Sequence, residues 1–193
     1  SSRLPDHDCR TSARVRCSNL SPVKTLVVQA HPLEESFSTA LLHRICQALQ
    51  ASGTDHDVMR LPQDEEPDLS YVNFEHMIAV SPTWWGSPPA VLLDWLQRTL
   101  LAYVDGGEPV SSSPLRSIRR LSVVTTHGSS LRINRLQGEP GRQTWSRVVT
   151  PCCHPEVQFE WISLYKIDRS TPKQRAAFLD DVSRRFTSDP VPA

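Results

Sequence analysis

No G-x-G-x-x-G follows any candidate strand of this chain, and no G-x-x-x-x-G-K-[ST] loop occurs. Neither the dinucleotide fingerprint nor the phosphate loop of ATPases is therefore available to it. A surplus of charge is also missing, since Lys+Arg and Asp+Glu number 21 each and the formal net charge is zero. Such a chain has no general attraction for nucleic acid or an anionic membrane, and no nucleic-acid partner is expected. The longest apolar runs, around Thr25–Ala30 and Met77–Val80, are far too short to cross a bilayer, so no membrane insertion is expected. The N-terminal stretch lacks the continuous apolar core of a secretory signal. The cysteines, Cys9, Cys17, Cys46, Cys152 and Cys153, are odd in number and form no C-x-x-C pair, which argues against a disulfide framework and against zinc. No metal site is expected. Neighbouring Cys152 and Cys153 read either as a strained redox pair or, more ordinarily, as two thiols in a reducing compartment, and the expected location is the cytoplasm.

What is present suits one soluble domain: 193 residues, 38% hydrophobic and 22% charged. Residues 1–22 read as an irregular or disordered leader. Arg3, Arg10, Arg14 and Arg16 among serines faintly resemble a transit peptide, but Asp6 and Asp8 dilute that pattern. Residues 23–187 carry the folding signal, and 188–193 read as a C-terminal tail. Lys24–Ala30 is a β-branched apolar run that predicts a first strand, and Ser36 is an N-cap candidate for a helix over Phe37–Ala51. Weaker alternation at His56–Leu61 predicts a second strand, and 62–73 a polar surface connection. His76–Ser81 predicts a third strand, followed by Pro88 and Pro89 at the start of a helix with Val91, Leu92, Trp95, Leu96 and Leu100 on one face. Gly106–Pro114 reads as a loop, Arg120–Thr126 as a fourth strand, and Ser129–Gly141 as a basic functional loop. Gln143–Thr150 reads as helical, Val157–Leu164 as a fifth strand, and Lys173–Phe186 as a last helix with Phe178, Leu179, Val182 and Phe186 inward.

Strand and helix alternate throughout, which predicts an α/β fold: a doubly wound, five-stranded parallel sheet with helices on both faces. Ligands of such sheets sit beyond the C-terminal strand ends, near the switch in strand order. Three turns fall there. HPLEESFS offers His31, Ser36, Ser38 and the free amides of a helix start, which suit a phosphate, although a plain capped helix looks the same. Glu34 and Glu35 would have to point outward. SPTWWGSPPA sets Trp84 and Trp85 at a strand end, where a flat apolar ligand or simple packing would use them. TTHGSS places Thr125, Thr126, His127 and Gly128 at the next strand end, with Gly128 allowing close backbone approach.

HPLEESFSTAL, SPTWWGSPPAVLLDWLQRTL, VVTTHGSS and the downstream LQG are similar to the flavodoxin-like NAD(P)H:quinone oxidoreductase family, over about Lys24 to Phe186. The resemblance implies a flavodoxin-like fold and a homodimer with flavin at the subunit interface. It places the flavin phosphate at His31, Ser36, Phe37 and Ser38. Pro82, Thr83, Trp84 and Trp85 would lie beside the isoalloxazine ring, and Thr125, Thr126, His127 and Gly128 on its other edge. It further implies ping-pong transfer of hydride from NAD(P)H through the flavin to a small-molecule acceptor, a quinone or similar electrophile. FMN is favoured over FAD because no additional adenosine-binding segment is evident.

Two departures stand out. His127 replaces the first glycine of the family's Thr-Thr-Gly-Gly turn, and alignment on Leu136-Gln137-Gly138 puts Asn134 and Pro140 where the family has a tyrosine and a histidine that relay charge. His127, with Asn134, is the candidate catalytic substitute. Arg132, Arg135 and Arg142 could clamp the 2′-phosphate of NADPH, or could simply be a solvated face. Alternative functions compatible with the same motifs are an azo- or nitro-compound reductase and a flavin-binding regulatory subunit of a potassium-efflux system. A one-electron carrier fits less well, because the first turn lacks a Ser/Thr-x-Thr-Gly phosphate loop.

Overall fold

Thr25–Ala30 forms β1, and all six of its residues are buried, as expected of a central parallel strand covered on both faces. The computed structural model describes residues 25–61, 74–104 and 110–187. The expectations for the leader, the 62–73 connection, residues 106–109 of the 106–114 loop and the C-terminal tail lie outside them. From β1 the chain passes into α1 (Phe37–Ala51), β2 (His56–Leu61), β3 (His76–Thr83) and α2 (Ala90–Val104). β4 (Arg120–His127), α3 (Leu131–Leu136), α4 (Pro140–Gln143), β5 (Gln158–Tyr165) and α5 (Pro172–Thr187) follow. The sheet is parallel throughout, in the order β2-β1-β3-β4-β5. That is the strand order of a flavodoxin-like doubly wound sheet, with its switch point between β1 and β3.

Side chains alternate between two cores. Leu26, Val28, Met77, Ala79, Leu121 and Val123 meet Trp95 of α2 and the downstream Trp145 and Val149 on one face. Val27, Ile78, Val80, Val124 and Ile162 meet Leu41 and Ile45 of α1 and Val182 and Phe186 of α5 on the other. The predicted inward residues of α5 behave as expected, with Phe178 and Leu179 packed against the same cluster.

Three elements differ from the sequence-based expectation. β3 runs through Pro82 and Thr83, because the pairing to β1 ends at Val80 and β3 is thereafter an edge on that side, where a residue without N–H is tolerated. The Ser129–Gly141 stretch is not a loop throughout; it contains α3, capped by the Ser130 hydroxyl accepting from the Ile133 amide. The helix expected from Gln143 starts earlier, at Pro140, and changes to π-helical turns over Thr144–Val149 and a 3₁₀ turn over Thr150–Cys152. Cys46, Cys152 and Cys153 are buried, and burial raises the pKa of Cys152 and pushes Cys153 up to about 12, which disfavours the reactive thiolate in the vicinal pair.

His76 marks the opposite end of the sheet from the ligand turns. It is 2% exposed, its Nε2 bonds Ser122 Oγ at 3.0 Å, and burial together with nearby Arg120 lowers its pKa from 6.5 to about 3. The unfolded chain takes up that proton near pH 6.5 whereas the folded chain waits until about pH 3. Unfolding therefore binds a proton between these values, and stability should fall as pH drops through that window. His76→Gln should flatten this acid limb in urea titrations; an unaltered pH dependence would count against the assignment.

Candidate active site

The turns after β1, β3 and β4 meet at one edge of the sheet. In the first, Ser36 caps α1: its hydroxyl accepts from the Thr39 amide at 3.1 Å and bonds Thr39 Oγ1 at 3.0 Å. Thr39 Oγ1 donates to the Glu34 carbonyl at 2.7 Å, so Ser36 is the donor to Thr39 and its single proton is committed. The anion-binding capacity of this turn thus rests on the amides of Phe37 and Ser38 at the start of a 15-residue helix, not on the Ser36 hydroxyl. The Ser38 side chain is buried and Phe37 packs against the α1–α5 core. Glu34 and Glu35 are exposed, as the sequence requires.

His31 accepts from the Leu33 amide and meets Trp84 edge-on at a ring separation of 5.7 Å, joining the first turn to the second. The second turn is a tight hairpin. Trp84 and Ser87 exchange both backbone hydrogen bonds at 2.9 Å, and Trp85 and Gly86 between them have φ of 53° and 83°. Two positive φ values in a two-residue turn are those of type I′, which glycine adopts freely and tryptophan does not. The Trp84 backbone is therefore spent within the turn and cannot serve a ligand's rim. The indoles remain available: Trp85 is fully exposed and Trp84 is 44% exposed. Leu33, Ile133 and Leu136 are also exposed and lie in the segments after β1 and β4.

The hairpin is held from outside. The Gly141 amide donates to the Gly86 carbonyl at 2.7 Å, and a Cβ at Gly141 would lie 2.9 Å from that same oxygen. Pro140 packs beside it, 3.1 Å from where a Cβ on Gly86 would sit. Gly141→Val should push this support away and lower stability by about 1–3 kcal/mol. Urea denaturation would measure the loss, and the tryptophan emission of the native state should shift; unchanged values of both would contradict the buttress.

In the third turn, Thr125 Oγ1 and Thr83 Oγ1 bond each other at 2.9 Å across β3 and β4. Thr125 is buried, and its hydroxyl is engaged with Thr83 of the neighbouring strand. Thr126 is 5% exposed and pairs in register with Pro82. A Cβ on Gly128 would come within 2.6 Å of Asp168 Oδ2, so its close approach is to that carboxylate. His127 is 4% exposed, lies in register with Tyr165 and stacks on it at 4.6 Å and 14°. Neither of its ring nitrogens has a hydrogen-bond partner among the described residues. Burial pushes its pKa below the ordinary histidine value, opposed by Asn134, which approaches the ring outside good hydrogen-bonding geometry, and by Glu139. Asn134 is itself buried and donates to Ser129 Oγ at 2.8 Å and to the Ser130 carbonyl at 2.9 Å.

A family model described as "Flavodoxin-like fold" matches residues 23–151, two thirds of the chain. The chain belongs to this family. No curated protein matches it at a significant level. Among solved structures, Smu.1420 from Streptococcus mutans is similar with a TM-score of 0.68 and 16% identity, covering 86% of this chain and 100% of that one. An NAD(P)H:quinone oxidoreductase from Methanothermobacter marburgensis has a TM-score of 0.63 at 14% identity, covering 86% and 96% of the two chains. An FMN-dependent NADH-azoreductase from Bacillus anthracis, in complex with FMN, has a TM-score of 0.66 at 11% identity, covering 85% and 98%.

In a flavodoxin-like chain the group to test against these turns is a flavin, and the residues present fit one. A helix N-terminus with open amides suits an anion, two exposed indoles offer a flat apolar surface, and the buried His127 nitrogens at the third turn have no partner among the described residues. The sequence did not reveal the Pro140 and Gly141 support of the tryptophan turn; Pro140 as a helix-opening residue was the signal available. Pro140, aligned with the family's relay histidine, is a packing residue here.

Proposed function

We propose that this flavodoxin-like protein is a flavin-dependent NAD(P)H oxidoreductase that passes hydride to a quinone or similar electrophilic small molecule. The observation that carries the reading is the gathering of the α1 N-terminus, the exposed Trp84–Trp85 turn and the β4 end at one sheet edge. FMN, bound with its phosphate at the Phe37 and Ser38 amides, supplies the chemistry of accepting and releasing hydride. His31, Ser36 and Thr39 shape the phosphate end, Ser36 by holding the helix start in place. Pro82, Thr83, Trp84 and Trp85 flank the ring and present an apolar face to the incoming acceptor, and Thr125, Thr126 and Gly128 form the wall at the end of β4. His127, stacked on Tyr165 with both ring nitrogens unpartnered among the described residues, would offer a polar group to a ring bound at these turns.

The exposed Trp85, Leu33 and Leu136 suit a second copy of the chain over this rim, so we assign a homodimer. The buried thiols of Cys152 and Cys153 suit a reducing compartment such as the cytoplasm. Among the described residues no helix is long and apolar enough to cross a membrane. The likeness to an FMN-dependent azoreductase favours azo compounds as the second acceptor class at the same site. Anaerobic addition of NADPH or NADH to the flavin-loaded protein should bleach the oxidised-flavin absorbance, and a quinone should restore it. Absorbance that neither nicotinamide bleaches would overturn the enzymatic reading and leave a binding protein.

A further inference from the structure

β5 closes the sheet on one side, so among the described residues one edge of its backbone has no neighbouring strand. A cavity of about 390 Å³ opens against that edge, within the size range of nucleotide and cofactor sites. It takes side chains from both faces of β5, Trp161, Ser163 and Tyr165 on one and Ile162 on the other, with α3 and α5 as walls. Three guanidinium groups line it from three separate elements: Arg135 of α3, Arg142 of α4 and Arg185 of α5.

Their commitments differ. Arg185 bonds Glu160 at 2.6 Å and Asp181 at 3.0 Å, and these contacts hold Asp181 below the usual carboxylate range. Arg142 pairs loosely with Glu139 at 3.6 Å. The Arg135 guanidinium makes no ion pair or hydrogen bond among the described residues. The lining thus has three cations against the two carboxylates of Glu139 and Asp181, with one cation wholly unspent. In the same lining the Trp161 indole Nε1 is buried without a partner among the described residues.

Uncommitted guanidinium, aromatic rings and an open strand edge recognise, respectively, a phosphate, a planar base and that base's hydrogen-bonding rim. We propose that this cavity holds the adenosine 2′-phosphate end of NADPH, with Arg135 and Arg142 on the phosphate and Trp161 and Tyr165 beside the adenine. The assignment rests on the proposed hydride donor. Its placement is consistent with one molecule serving both sites. β5 adjoins β4, so the cavity lies about two strand spacings, ~10 Å, beyond the His127 end of β4, within the span of an extended dinucleotide. Tyr165 belongs to both places, since it lines the cavity and stacks on His127. Arg132 does not line the cavity, so only part of the basic run in the β4–β5 connection takes part.

The test is calorimetric binding of adenosine 2′,5′-bisphosphate and of adenosine 5′-monophosphate to the full chain, needing no turnover. The bisphosphate should bind about tenfold more tightly, and Arg135→Ala with Arg142→Ala should erase that difference. Arg132→Ala should keep it. Equal binding of the two nucleotides by the wild type, or a preference that survives the double substitution, would overturn the assignment. Flavin absorbance read on the same samples keeps the two claims apart. A yellow protein indifferent to the 2′-phosphate refutes the cavity alone, and a colourless one that prefers the bisphosphate refutes the flavin reading alone.

Discussion

Replacing Ser36 with Asp is expected to leave the protein folded and strip it of flavin. Asp is as good an N-cap as Ser, because its carboxylate also accepts from the third-residue amide, and its charge suits the positive end of the helix dipole. Melting temperature should therefore hold or rise slightly. The flavin phosphate, however, would meet a carboxylate at the turn proposed to bind it through the Phe37 and Ser38 amides. Two like charges about 4 Å apart at an effective dielectric of about 20 repel by about 4 kcal/mol, so affinity should fall at least a hundredfold. The opposite signs of the two effects make the variant informative. A Ser36→Asp protein that keeps its fold and its flavin would show that the phosphate lies elsewhere, whereas a cap lost in folding would show as a lower melting temperature.

His127→Ala is expected to slow hydride transfer by about a hundredfold, the usual cost of removing one group aimed at developing charge. The residue is 4% exposed with both ring nitrogens unpartnered among the described residues, a state that costs stability and calls for a functional account. Burial lowers its pKa below the ordinary histidine value, against the opposing pull of Asn134 and Glu139. Any acid limb that His127 imposes on the wild-type rate should therefore fall at lower pH than an exposed histidine would give, and should disappear in His127→Ala. His127→Gln, which restores a hydrogen-bonding side chain of similar reach, should recover part of the rate. Stopped-flow reduction by NADPH reads all three. An unchanged rate in His127→Ala, with flavin still bound, would remove His127 from the chemistry and leave it as a packing residue against Tyr165.

The elements that sequence patterning located well are those with clear apolar spacing or clear turn residues at their ends. α1 over Phe37–Ala51 and β2 over His56–Leu61 have the predicted limits, since Leu41, Leu42, Ile45 and Leu49 recur at helical spacing and turn residues bound the strand. α3 escaped because LRINRL buries only Asn134, so no apolar stripe marks it, and Ser130 as its cap was the sole local sign. At the site, the three turns were legible because a doubly wound sheet sends its strand ends to one edge. The fates of individual side chains were not. That Thr83 and Thr125 satisfy each other, that Trp84 spends its backbone on Ser87, and that His127 lies on Tyr165 all depend on strand register and hairpin geometry. The β5 cavity was invisible for the same reason: Arg185 and Arg135 are brought together only by the packing of α5 beside the sheet edge.

The most direct measurement is the visible absorbance of the wild-type protein saturated with FMN and then dialysed exhaustively, beside Ser36→Asp treated identically. A stoichiometric complement of FMN retained by the wild type, with tryptophan emission quenched, and lost from Ser36→Asp is the predicted result. A wild type that emerges colourless, with its tryptophan emission unchanged, would contradict the flavin site at these turns.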